Sequence, residues 1–103
     1  MKGSVMAAAR WWTNRLDLGT RHSSILQSGN FSAALKSMVN NSLRKYASCN
    51  LTTSPSPSGI VQRAAEIAQV PAGKIPHGIK MEIYPDKVIV THNGGRKETI
   101  YED

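Results

Sequence analysis

Residues that could do chemistry are few and widely spaced in this chain. The three histidines, His22, His77 and His92, lack a spacing that would bind a metal ion as a unit. With Cys49 as its only cysteine, one chain forms neither an internal disulfide nor a cysteine-based zinc cluster. Gly73-Lys74 matches only the end of a phosphate-binding loop, since the first glycine and the following Ser or Thr are absent. We therefore predict no catalytic site, no metal and no cofactor.

The basic charge of the chain is concentrated in its N-terminal two-thirds. Residues 1–65 hold eight basic residues and one acid, and residues 66–103 hold five basic residues and six acids, which together give the net charge of +6. This asymmetry favours a basic arm or a targeting tail over a uniformly basic domain. No apolar run approaches the roughly 18 to 20 residues that a transmembrane helix needs, so we predict no transmembrane segment.

The first 46 residues have the composition of an organellar transit peptide, being Arg-bearing, Ser-rich and poor in acids. A secretory signal is not expected, because the apolar run from Val5 to Ala9 is short and Arg10 interrupts it. Apolar residues at spacings of three and four predict an amphipathic helix from Ser32, an N-cap residue type, to Tyr46.

The stretch Arg44-Lys45-Tyr46-Ala47-Ser48 resembles the processing site of mitochondrial presequences. In that pattern Arg44 lies three residues before the cut, the aromatic Tyr46 just before it and the small Ala47 just after it. The resemblance implies cleavage after Tyr46 and a mitochondrial location, with a plastid as the alternative because transit peptides overlap in composition. The other interpretation keeps residues 1–46 in the working protein, as a packed helix and a basic arm.

The remainder of the chain predicts a small α+β domain. Residues 47–58 are rich in Ser and Pro and are interpreted as a linker. Residues 59–70 predict an amphipathic helix, capped by Ser58 and ended by Pro71, with an apolar stripe that includes Ala64 and Ile67. Residues 79–101 predict a three-stranded antiparallel meander, in which Asn93-Gly94 is a strong hairpin signal.

Apolar positions on the predicted strands are candidates for packing or for docking on a partner. A mature piece of about 57 residues is marginal alone and would gain stability on a partner, through the helix face or an open sheet edge. The candidates are Ile79, Met81, Ile83, Val88 and Val90.

A second group of residues would suit RNA. Arg96 and Lys97 follow the Gly-Gly turn and could reach phosphates, while Lys80 and Tyr84 share a strand face that offers a charge and a stacking ring. Residues 47–103 carry six basic and six acidic residues, so a positive field requires that the N-terminal segment remains attached.

These observations lead to one main prediction and one alternative. The chain is expected to be α+β, with one helix and a three-stranded antiparallel meander behind a basic targeting segment. The main prediction is a small, non-catalytic mitochondrial protein, an accessory or assembly component bound to subunits of a larger complex. The alternative is a ribosomal or RNA-associated protein that uses the basic N-terminal segment and the hairpin tip at Arg96 and Lys97.

Overall fold

The computed structural model describes residues 2–19 and 21–103, and within them the chain forms one α+β unit. The helices are α1 (Gly3–Thr13), α2 (His22–Tyr46), α3 (Gly59–Ala68) and a short 3-10 helix (Ala72–Lys74). The strands are β1 (Cys49–Thr52), β2 (Lys80–Ile83), β3 (Lys87–Thr91) and β4 (Lys97–Glu102).

The strands form an antiparallel sheet in the order β1-β2-β3-β4, so each strand pairs with the next one along the chain. Side chains alternate between the two faces of a sheet. Every second residue of the first three strands is buried against the helices, and the residues between them are exposed or half-buried. The helices therefore cover one face of the sheet and leave the other face open.

Helix α1 lies across β3 and β4 because its alanines and tryptophans form an apolar stripe. Val5, Ala8 and Trp12 recur at helical spacing, and none of the three is exposed. The helix begins close to the sheet at Gly3, where an added Cβ would lie 2.8 Å from Cζ of Tyr101. A glycine at this position therefore allows α1 to approach the side chain of Tyr101 on β4.

Helix α2 is the longest element, with 25 residues, and it supplies the centre of the helical layer. Phe31, Leu35, Val39 and Leu43 recur every fourth residue and are at most 5% exposed. The helix ends at Tyr46, and the next residue, Ala47, adopts a left-handed conformation with φ of 60° and donates its N–H to the carbonyl of Leu43. This backbone geometry reverses the chain into β1.

Helix α3 packs beside α2 through small residues. Val61, Ala64, Ala65 and Ala68 are buried, whereas Ile67 is 60% exposed and does not belong to the core stripe in which we placed it. Ser58 occupies the N-cap position as predicted, although its hydroxyl makes no capping hydrogen bond.

The predicted α+β class is confirmed, but the predicted detail of one helix and three strands is incomplete. The described part of the chain has three α-helices and a four-stranded sheet. Helix α2 begins ten residues before Ser32, in a segment whose Ser, Gly and Asn residues have weak helix propensity, so tertiary packing must decide its start. Strand β1 forms within the predicted linker, because Cys49 and Leu51 are buried beside β2.

Candidate functional site

The five strand positions proposed for packing or docking all belong to the core. Their side chains are at most 7% exposed, so they pack inside the domain and offer no surface to a partner. Alternation identified the right residues as apolar strand positions but could not show that the helices of the same chain cover them. These residues are Ile79, Met81, Ile83, Val88 and Val90.

The four residues proposed for RNA contact do not form one group. Lys80 and Lys97 flank Thr91 in the register of three neighbouring strands, so their side chains lie in one row on the open face of the sheet. Tyr84 lies past the opposite end of β2, about 13 Å from Lys80 at about 3.3 Å per residue. Lys80 and Lys97 are therefore brought together, and Tyr84 is separated from them.

The ring of Tyr84 already has neighbours within the sheet. Its hydroxyl donates a 2.9 Å hydrogen bond to Oε2 of Glu82, and Nζ of Lys87 lies 5.3 Å from the ring centroid. The hydrogen bond to Glu82 raises the pKa of Tyr84, with a smaller contribution from the charge of that carboxylate. These contacts make Tyr84 a weaker stacking platform than the sequence suggested.

Arg96 points away from Lys97, toward the side of β4 that meets α1. One guanidinium nitrogen of Arg96 and Nε2 of His92 each lie 3.8 Å from a carboxylate oxygen of Glu98. The turn itself is closed by backbone hydrogen bonds, from His92 N–H to the Arg96 carbonyl at 2.7 Å and from Gly95 N–H to the His92 carbonyl at 2.9 Å. Asn93-Gly94 thus forms the tight hairpin that the sequence predicted.

This hairpin tip meets the C-terminal end of α1 at Trp11. The ring centroids of Trp11 and His92 are 6.1 Å apart, and the Arg15 guanidinium carbon lies 4.0 Å from the Trp11 ring centroid. Arg15 also donates a 3.2 Å hydrogen bond to the Trp11 carbonyl. The junction therefore joins the basic N-terminal helices to the hairpin tip, and the sequence gave no signal for this contact.

A groove with two cations lies between α1 and α2. It has a volume of about 240 Å³ and is lined by Arg10, Asn14, Ser32 and Lys36, with Met6 at its apolar side. Arg10 and Asn14 are one helical turn apart, as are Ser32 and Lys36, so the two helices present these pairs to the same groove. Sequence reasoning recorded these cations only as part of a basic segment.

The net positive charge of the molecule comes from residues 1–46, which include α1 and α2. Residues 1–46 contain seven basic residues and one acid, whereas residues 47–103 contain six of each. Their basic side chains lie at the surface while the apolar side chains of the same helices fill the core. The fold thus displays the excess positive charge on α1, α2 and the segments that flank them.

The predicted processing residues lie at the end of α2. Arg44 and Ala47 are exposed, and Tyr46 is 72% exposed. A cut after Tyr46 would separate β1 and everything after it from α1 and α2.

The remaining side chains that could react lie in surroundings that indicate a structural role. Cys49 is buried, and this burial raises the pKa of its thiol against a smaller opposing effect of a hydrogen bond with Ser42. Nε2 of His77 lies 3.0 Å from the carbonyl oxygen of Ala72, and His22 is exposed at the start of α2. Among residues 2–19 and 21–103, no three His, Cys, Asp or Glu side chains are grouped to hold a metal ion.

Comparison with known proteins places the fold. No protein-family model matches the sequence, and no curated protein matches it significantly. Among solved structures, the chain is similar to the BTG/Tob domain of C. elegans FOG-3 in a doubly substituted form. The match has a TM-score of 0.73 and 20% sequence identity, and it covers 100% of this chain and 91% of that chain. This chain has a BTG/Tob-like fold.

The BTG/Tob-like fold overturns our main functional prediction. The main prediction, which treated residues 1–46 as a transit peptide, was a mitochondrial accessory or assembly component, and that functional prediction is wrong. The match to the BTG/Tob domain extends over the whole chain, and helices α1 and α2 supply Trp12 and Phe31 to its core. Composition misled us because the exposed side of these helices is basic and acid-poor, as in a transit peptide.

Two predictions are not tested by these findings and stay predictions: cleavage after Tyr46, and a mitochondrial or plastid location. In the described residues, no helix combines the length and apolar character that a membrane span requires.

Proposed function

We propose that this BTG/Tob-like domain is a non-catalytic, RNA-associated protein that binds the phosphate backbone through its helical layer and hairpin tip. One observation supports the proposal above all others. The contact between Trp11 and His92 joins the strongly basic α1–α2 layer to the hairpin that carries Arg96. A basic segment that packs beside a hairpin with further basic residues suits a polyanion, because binding releases the counterions that surround the phosphates.

The proposal differs from the sequence-based alternative in its main contact surface. That alternative assigned base stacking to Tyr84, whose ring centroid already has Nζ of Lys87 at 5.3 Å. We now assign the main attraction to α1, α2 and the segments that flank them, since residues 1–46 contain seven basic residues and one acid. A smaller part is assigned to Lys80 and Lys97 on the open sheet face. Phosphate contacts of this type position RNA and carry little sequence information.

Fluorescence anisotropy with a labelled single-stranded RNA tests the proposal. For the full chain we expect the logarithm of the association constant to fall linearly with the logarithm of salt concentration, by about 0.7 per phosphate contact. Arg44→Gln, which removes one charge from α2, should weaken binding and lower this slope. The matched control is Arg63→Gln on α3, which removes the same charge from outside the basic layer and should change binding less.

Absence of binding at low salt would reject RNA association. Equal weakening by Arg44→Gln and Arg63→Gln would reject the assignment of the main contact surface to the two N-terminal helices. In a cell extract, a complex that survives both RNase and raised salt would also contradict the proposal.

A second candidate function, binding of a protein partner, has its own observation. Leu26 on α2 and Ile67 on α3 are 55% and 60% exposed and line one surface depression, away from the groove between α1 and α2. The matching occupant is a protein segment that inserts an apolar side chain between the two helices. Ile67→Ser should then remove protein partners from a pull-down while leaving RNA binding unchanged, and retention of every partner would reject this surface.

A further inference from the structure

The groove between α1 and α2 brings together two cations without an acidic partner. Within the described residues, neither Arg10 nor Lys36 has a carboxylate oxygen within 4.0 Å. A carboxylate oxygen of Asp17, the only acid in the sequence of residues 1–46, lies 4.0 Å from Nζ of Lys74 in the short 3-10 helix. No carboxylate of the described residues therefore balances the charges of Arg10 and Lys36 in this groove.

Helix electrostatics explains only one of the two cations. Arg10 lies in the last turn of α1, where the negative end of the helix dipole favours a positive side chain. Lys36 lies in the middle of α2 and receives no such benefit. Two like charges at one groove repel each other, and an anion placed between them would replace this repulsion with two attractions.

The remaining side chains of the groove suit an oxyanion. Asn14 offers amide N–H donors and Ser32 a hydroxyl, and both face the same space as the cations. Thr13 is already engaged, since its hydroxyl donates a 2.6 Å hydrogen bond to the Ala9 carbonyl. Hydrogen bonds from charged or neutral donors to a phosphate oxygen are strong because the acceptor is ionised.

The size of the groove limits its ligand. At about 240 Å³ it is smaller than the roughly 300–1,000 Å³ of sites that enclose drug-sized molecules. It fits one phosphate group, with the neighbouring sugar against Met6, which is 42% exposed.

We infer that the α1–α2 groove seats one phosphate group of the RNA backbone, held by Arg10 and Lys36 and oriented by Asn14 and Ser32. This inference rests on the proposed RNA association and assigns it a defined site. The rest of the basic layer then attracts RNA without fixing it, and the groove sets the position of the strand on the domain.

NMR titration of the full chain with inorganic phosphate, and then with a short single-stranded RNA, tests the inference. We expect saturable shifts at the amides of Arg10 to Asn14 and Ser32 to Lys36 with both probes. Arg10→Gln/Lys36→Gln should abolish these shifts and lower the salt slope of RNA binding by roughly 1.4, at about 0.7 for each lost contact. Arg10→Lys/Lys36→Arg should retain the shifts, because it preserves both charges.

A matched control removes the same charge from the same helical layer. Arg44→Gln/Lys45→Gln should leave the groove shifts in place, although it weakens the overall attraction. Unchanged spectra outside the groove would show that both double variants remain folded.

The outcomes separate the groove from the proposed function. RNA that binds with the expected salt dependence but shifts amides elsewhere would overturn the groove and leave RNA association intact. A domain that binds no RNA, including one whose groove responds to an acidic peptide instead, would overturn both. Shifts at the groove that the glutamine variant removes and the charge-preserving variant retains would support both.

Discussion

The two N-terminal helices and the sheet that follows them differ in how well their buried residues can be recognised from the sequence. In β2 apolar and polar residues alternate, and in β3 Val88 and Val90 are the buried residues of a β-branched run, as expected for alternate strand positions. In α1 and α2, basic and small polar residues surround the apolar stripe, so composition hides the buried Trp12 and Phe31. A basic, acid-poor segment can therefore supply a large part of a core when its charged side chains lie on the outer side.

The largest expected effect comes from removing the helices. Residues 47–103 expressed alone should be unfolded, because the sheet would lose α1 and α2 from the layer that covers its apolar face and a chain of 57 residues buries little surface. Circular dichroism and the amide dispersion of a two-dimensional NMR spectrum, with the full chain as the reference, measure this. A dispersed, cooperative spectrum for residues 47–103 would show that the two regions fold independently.

Cleavage after Tyr46 in cells would separate the two N-terminal helices from the sheet. We keep it as a proposal together with a mitochondrial or plastid location, motivated by the pattern from Arg44 to Ala47. Mass spectrometry of the N-terminal peptide of the endogenous protein decides it. A start at Ala47 or Ser48 would establish processing, and a start near Met1 would end the proposal and leave the basic layer in the working molecule.

Single substitutions within α2 should separate its inner and outer sides. Phe31→Ala should lower the free energy of unfolding by about 3–5 kcal/mol, since Phe31 is 0% exposed and its loss leaves a cavity. Tyr46→Ala in the same helix should change it by no more than about 0.5 kcal/mol, because Tyr46 is 72% exposed. Urea denaturation gives both values, and similar losses for the two variants would contradict the assignment of the helix faces.

Glycine at position 47, where the chain passes from α2 to β1, should stabilise the fold. Ala47 has φ of 60°, a left-handed conformation that costs a non-glycine residue roughly 1–2 kcal/mol. Ala47→Gly should therefore stabilise the fold by up to about 1 kcal/mol, whereas Ala33→Gly within α2 should destabilise it by about 1 kcal/mol. Thermal denaturation compares them, and a loss of stability in both would mean that the chain leaves α2 by another geometry.

The smallest expected effect is a pH dependence carried by Cys49. Its buried thiol has a pKa raised above the ordinary 9.0, so the folded state prefers the neutral form. The contribution to stability is complete below pH 9.0 and is lost as the pH rises through the higher folded pKa. Unfolding free energies of the wild type and Cys49→Ala should therefore converge with rising pH, and a constant difference between them would contradict burial of the thiol.

Prediction from sequence succeeded where local pattern and tertiary environment agree. The helix near residues 59–70, the strands of the meander and the hairpin at Asn93-Gly94 follow from periodicity and turn chemistry. Strand β1 was missed because its four residues lie among Ser, Thr and Pro residues and gain their order from pairing with β2. The candidate RNA residues were partly separated by the fold, since register brings Lys80 near Lys97 but leaves Tyr84 at the other end of β2.

The sequence by itself determined the α+β class, the apolar strand positions and the concentration of positive charge in residues 1–46. These properties depend on residue type and short-range spacing, which are fully present in the chain. Only the tertiary structure decided that α1 and α2 are part of the core, that Trp11 meets His92, and that Arg10 and Lys36 share a groove. Each of these depends on which helix faces pack together, and that choice follows from burial of apolar surface over the whole domain.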